Sequence, residues 1–229
     1  MSVVFERNRS KLVLDGQFCV SKPIAKQISR LRELFPELGT ADVERANRPL
    51  PPNAAGWFAI PRSERVGRTY SEAVEMVLAL LSRTRRGKFR NGRNADFGPN
   101  HFRQHERTVT MLKKLGEQQP GHDILVVPAQ FGARYQDRPV CEVRKLLVPN
   151  EFGLGAFEVG CMLLVHPRRL QRRRDLWIDC PGDEHDDPNE EERFSDAPGF
   201  LFIDGELKFT AGWCGYYSEN WGSATGFVA

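Results

Sequence analysis

Residues 69–81 read TYSEAVEMVLALL, and Tyr70, Ala73, Val74, Val77, Leu78 and Leu81 recur at helical spacing behind the capping-box pattern of Thr69 and Glu72. A helix with so continuous an apolar stripe must lay it against other elements. The chain therefore folds around a core, and at 229 residues, 40% of them hydrophobic and 28% charged, it is long enough to build one. Other segments supply partners for the stripe. In SKPIAKQISRLRELF, Ile24, Ile28, Leu31 and Leu34 share a face, with Pro23 tolerated in the first turn. A third helix is expected after Asn100, with Phe102, His105, Val109 and Leu112 facing inward and Gly116 near its end. Residues 150–170 read as a glycine-containing lead-in to a buried helix that ends near Pro167.

Strand signals surround these helices. Asp15-Gly16 between KLVL and QFCV, and Asp204-Gly205 between FLFI and ELKF, are hairpin signals. DILVVPAQF has strand length, although Pro128 assigns it to an edge or bend. RPVCEVRKLLV reads as a strand or strand–helix partner, DLWID as a strand, and the glycine- and aromatic-rich tail as a final strand or cap. No sustained βαβ alternation and no internal repeat appear. The expected fold is α+β: a mixed or antiparallel sheet with three to four amphipathic helices in a single compact domain over 1–229. A weak boundary falls in the Pro-rich stretch 46–56, and an acidic loop is expected over 182–198.

Charges at Glu6, Arg7, Arg9 and Lys11 break up any leader-like run, and the longest apolar run, Met76 to Leu81, is far shorter than a bilayer span. A cytoplasmic protein without membrane contact is expected. The five cysteines form no CxxC pair, which fits reduced thiols better than a disulfide framework. The net charge of +3 conceals a division: residues 1–174 carry 31 Lys and Arg against 17 Asp and Glu, and residues 175–229 carry 2 against 13. Either the two parts neutralise each other in the fold, or the basic part presents a face to a partner.

DILVVPAQFG, NEFGLGAFEVGCMLLVHPRRL and WIDCPGDE resemble segments of a family of uncharacterised bacterial proteins found largely in candidate phyla, and the likeness runs from GWFAIPR onward. The resemblance implies no activity and transfers no site residues.

Most catalytic motifs fail on inspection. Gly153 and Gly155 are followed by Glu158 where a dinucleotide fingerprint needs its third glycine, and the GxxxxG spacing of Gly155 and Gly160 leads to Cys161 and Met162 instead of Lys and Ser/Thr. These glycines suit close helix packing better. His101 and His105 are spaced i, i+4, but HFRQHE lacks the glutamate that would follow the first histidine of HExxH, and a core histidine is the simpler reading of His105. Asp179, Asp183 and Glu184 could hold Mg²⁺ by carboxylates and water in a phosphoester hydrolase, against the plainer reading of a solvated acidic loop. Cys180, among carboxylates, is a poor nucleophile. No cofactor is otherwise specified.

The leading expectation concerns SRTRRGKFRNGR, residues 82–93. Arg83, Arg85, Arg86, Lys88, Arg90 and Arg93 could neutralise phosphates of DNA or RNA while Phe89 stacks on a base, and RRLQRRR at 168–174 would extend the surface if adjacent. Against this, cations after a helix are favoured by its dipole alone, and the acidic loop could pair with them internally. The chain thus reads as a polyanion-contacting accessory protein, with a metal-dependent hydrolase or a non-catalytic protein-interaction module using the aromatic tail as alternatives.

Overall fold

A computed structural model describes residues 21–92, 100–188 and 190–229. The expected hairpin at Asp15-Gly16 and the cation Arg93 lie outside the described residues. In chain order the elements are α1 (Ile24–Leu34), β1 (Gly56–Pro61), α2 (Tyr70–Thr84), β2 (Phe89–Asn91), β3 (Phe102–Gln104), α3 (Glu106–Glu117), β4 (Ile124–Gln130) and α4 (Val140–Leu146). They continue with β5 (Glu151–Gly153), α5 (Ala156–Val165), β6 (Trp177–Asp179), β7 (Asp183–His185), β8 (Asp196–Ile203), β9 (Glu206–Trp213), β10 (Trp221–Ser223) and β11 (Thr225–Phe227). The α+β class holds, in a single compact domain with one main core cluster running through both sheets and α1, α2, α3 and α5, while Val143 of α4 packs with Tyr135 and Leu147 in a smaller one.

One sheet has the order β1-β4-β11-β5. The second runs β10-β6-β8-β7-β3, with β9 on the other edge of β8 and β2 beyond it. Most pairings are antiparallel, while β10 with β6 and β2 with β9 are parallel. All ten residues of α5 are buried. The helix packs against α2, β1 and α1, and an added Cβ at Gly160 would meet Val77 Cγ1 of α2 at 2.4 Å, so that glycine does permit close helix packing.

Locally encoded features form where the pattern places them. Thr69 Oγ1 accepts the Glu72 N–H at 3.2 Å and starts α2, although the Glu72 carboxylate reaches back to the N–H of Arg68 instead of that of Thr69. The β8–β9 hairpin turns at Asp204 and Gly205, both at positive φ (56° and 81°), as a two-residue turn requires.

Elsewhere tertiary contacts overrule the pattern. The third helix begins only at Glu106. Phe102 belongs to β3, His105 is the N-cap whose Nδ1 accepts the Arg107 N–H at 3.2 Å, and Val109 is 48% exposed, because Thr108, Met111 and Leu115 form the inner face. Segment 140–146 is a helix. Residues 182–198 are only in part a solvated loop: Glu190, Glu191 and Glu192 are exposed, but the segment also includes β7 and the start of β8, with Asp183, His185, Asp186 and Asp196 buried.

Pro128 lies within β4, an interior strand, where an edge or bend was expected. Pairing with β11 involves only Ala129 and Gln130; Ile124 also bridges Ala41, and residues 125–128 have a strand partner along β1 alone. In that gap the Gln119 side chain substitutes for a strand: Oε1 accepts the Val126 N–H at 2.8 Å and Nε2 donates to the Val126 carbonyl at 3.3 Å. Pro128, two residues on, shares that side, where its missing N–H costs no ladder bond. Replacing Gln119 by Met should therefore leave a buried N–H and carbonyl unpaired and cost about 1–3 kcal/mol, read as a lower urea midpoint with unchanged slope.

Candidate functional site

Three places gather polar chemistry. The first lies where the sheets meet. Asp183 is fully buried, and its carboxylate accepts the Tyr70 hydroxyl at 2.8 Å (Oδ1) and the Ala156 N–H at the start of α5 at 2.6 Å (Oδ2). Glu158, the only charged residue in α5, turns back so that Oε2 accepts the Gly155 N–H at 2.9 Å. A Cβ at Gly155 would stand 2.3 Å from the Tyr70 oxygen and 2.4 Å from Asp183 Oδ1, so only glycine fits. Burial raises the Glu158 carboxyl from 4.5 to about 7, and burial followed by the Glu158 charge pushes Asp183 well above the carboxylate range. Burial first, and then Asp183 and Glu158, also push the Tyr70 hydroxyl up.

The three carboxylates of the expected Mg²⁺ set have different surroundings. Asp183 is spent on capping α5 and on Tyr70. Glu184, next along β7, points to the opposite side of the strand and pairs with Arg103 at 2.7 Å. Among the described residues, no group of three or more His, Cys, Asp or Glu side chains could hold a metal ion. Nor do His101 and His105 share a helix face: His105 caps α3 and His101 precedes β3, 3.9 Å from Asp186. Cys180 is buried, and burial, then Asp183 and Asp179, raise its thiol, in line with a poor nucleophile.

Asp179 differs from the other two carboxylates. It lines a separate cavity of about 280 Å³ with Val140, Thr210, Trp213, Tyr216 and Trp221. Burial raises it from 3.8 to about 7, only partly offset by Arg144. The guanidinium of Arg144 donates instead to the carbonyls of Pro181 (3.1 Å) and Asp183 (2.6 Å).

The third place is basic. Arg85 donates to the carbonyls of Arg169 (3.1 Å) and Leu170 (3.4 Å), so the end of α2 is fastened to the turn after α5 and the two arginine-rich segments become neighbours. Between them lies a cleft of about 340 Å³, with Thr84, Arg85, Arg86 and Lys88 on one wall and Pro167 and Gln171 on the other. Arg83, Arg86, Lys88 and Arg90 are exposed, as are Arg168, Arg172, Arg173 and Arg174. None of these eight forms an ion pair among the described residues. Phe89 is half-buried and packs against the core. The acidic segment turns elsewhere: Glu184 to Arg103, Asp186 to Arg193 at 2.8 Å.

No family model, curated protein or solved structure matches the chain. No helix among the described residues is long and apolar enough to cross a membrane.

Sequence reasoning missed Tyr70 and Glu158 as polar partners, because Tyr70 reads as one more residue of an apolar stripe. The one signal for them was a lone glutamate inside the apolar run 156–165. A carboxyl whose folded pKa exceeds its unfolded value stabilises at low pH and loses that contribution as pH rises from the unfolded to the folded value. The stability difference between wild type and Glu158→Gln should therefore shift against wild type between pH 4.5 and about 7. The change should reach up to roughly 3 kcal/mol and then level off, measured by urea titration across pH.

Proposed function

We propose that the protein contacts a nucleic-acid backbone through the cleft between residues 83–90 and 168–174. The observation that carries this reading is the Arg85 bridge to the Arg169 and Leu170 carbonyls, which brings two basic segments to one cleft while Glu184 and Asp186 pair with Arg103 and Arg193 on other elements. Arg83, Arg86, Lys88 and Arg90 on one side, and Arg168 and Arg172–Arg174 on the other, are the phosphate partners. The Asp175 carboxylate holds the second group in place by accepting the N–H groups of Gln171 (2.8 Å) and Arg172 (2.9 Å).

Two residues change role in this reading. Arg85 is an organiser, since its guanidinium is occupied by carbonyls and burial lowers its pKa. Phe89, committed to the core, leaves affinity to the charges. Contacts of this kind release counterions and give binding that is strongly salt-dependent and weakly sequence-dependent.

Fluorescence anisotropy with labelled DNA and RNA oligonucleotides over a salt series tests this. Log affinity should fall linearly with log salt, and the double variant Arg86→Glu, Lys88→Glu should flatten the slope by about one for each phosphate it no longer neutralises. Trp213→Ala, remote from the cleft, should leave the slope unchanged. Absent binding at low salt, or a slope insensitive to the double variant, would sink the reading.

A further inference from the structure

The Asp179 cavity lies toward the opposite end of the β8–β9 hairpin from the basic cleft: the cavity takes Ala197, Gly199 and Thr210–Trp213, whereas the cleft takes Phe202 and Gly205. Its form follows from strand register. Asp179 of β6 pairs with Gly199 of β8, which pairs with Thr210 of β9, so the three form one cross-strand row on one face. Ala197 opposite Gly212 forms the next row on that face. Four of these five residues are small, and the sheet is hollow there. Trp221, paired with Trp177 two residues before Asp179, shares the face and rises beside the hollow, its ring against Gly199 and edge-on to Trp177 at 5.3 Å. Trp213 and Tyr216 complete the wall and are 62% and 64% exposed.

The carboxylate of Asp179 has no hydrogen-bond or ion-pair partner among the described residues, although it is only partly exposed. On the same face, Trp177 Nε1 and Ser223 Oγ are also buried without a partner among the described residues. A buried carboxylate is normally paired. Here the described residues supply aromatic faces around it and no cation within ion-pairing distance.

We propose that this cavity binds a small organic cation, an alkylammonium whose head stands among Trp213, Tyr216 and Trp221 and faces the Asp179 carboxylate. Aromatic faces attract such a head through their quadrupoles, and the carboxylate supplies the counter-charge in a partly dry setting where the attraction is only weakly screened. The cavity volume of about 280 Å³ admits a molecule of choline size. A sugar could also stack on these rings, but it would bring no counter-charge for Asp179.

Calorimetry with choline, and with its uncharged isostere in which a tert-butyl group replaces the trimethylammonium head, tests this directly. Choline should bind at least about tenfold more tightly than the isostere. Asp179→Asn should bring the two close to parity, and Trp213→Ala, at an exposed ring, should weaken choline several-fold without altering the melting temperature. Equal affinity for the two probes, no choline binding at millimolar concentration, preference for methyl glucoside, or an inert Trp213→Ala would each overturn the proposal. The Trp213→Ala arm keeps the test decisive even if Asp179→Asn changes the fold.

Discussion

The contact on which this structure depends is that of Asp183 with Tyr70 and with the first N–H of α5. One carboxylate joins β7 of one sheet, the α2 helix and the start of the wholly buried α5. The backbone is equally close there: Gly182 N–H donates to the Leu154 carbonyl at 3.0 Å, and Ala224, between β10 and β11, links to both neighbouring segments. Placing such a group in the interior is costly unless its lone pairs are met. Tyr70 and Ala156 meet them, and the junction of the two sheets is thereby held in one geometry.

That junction also divides the charge. Asp183 and Asp196 are drawn inward, and Glu184 and Asp186 pair with Arg103 and Arg193, as β7 and β8 are built into the second sheet, while Glu190, Glu191 and Glu192 stay exposed. The cations of 83–90 and 168–174 stand after α2 and α5, whose packed axes bring their C-terminal ends together. The helix dipole favours cations at these ends, but it does not require eight exposed ones in the two segments that the Arg85 bridge holds together. The fold thus uses part of each: Asp183, Asp186 and Asp196 are buried and Arg62, Arg107 and Arg144 are held by backbone carbonyls, while the cations of 83–90 and 168–174 lie apart from the exposed Glu190, Glu191 and Glu192 in sequence.

The pair Asp183 and Glu184 shows how little adjacency in sequence says about a site. As neighbours in a strand they point to opposite sides, so one is sealed in the junction and the other meets a surface arginine. Asp179, four residues earlier, faces neither. Its row-mates Gly199 and Thr210 come from strands whose register no local pattern specifies.

The sequence by itself determined the elements whose causes are local: the stripes of α1 and α2, the Thr69 cap, the Asp204-Gly205 hairpin and the α+β class all rest on interactions within a few residues. Only the tertiary structure decided what depends on distant partners. It brings β11 between β4 and β5, lets Gln119 take the place of a strand beside Pro128, makes His105 a cap, and closes Arg85 onto the turn after α5. The physical reason is the same in each case. Buried backbone and charged groups must find partners, and which group supplies one is settled by the packing of segments far apart in the chain.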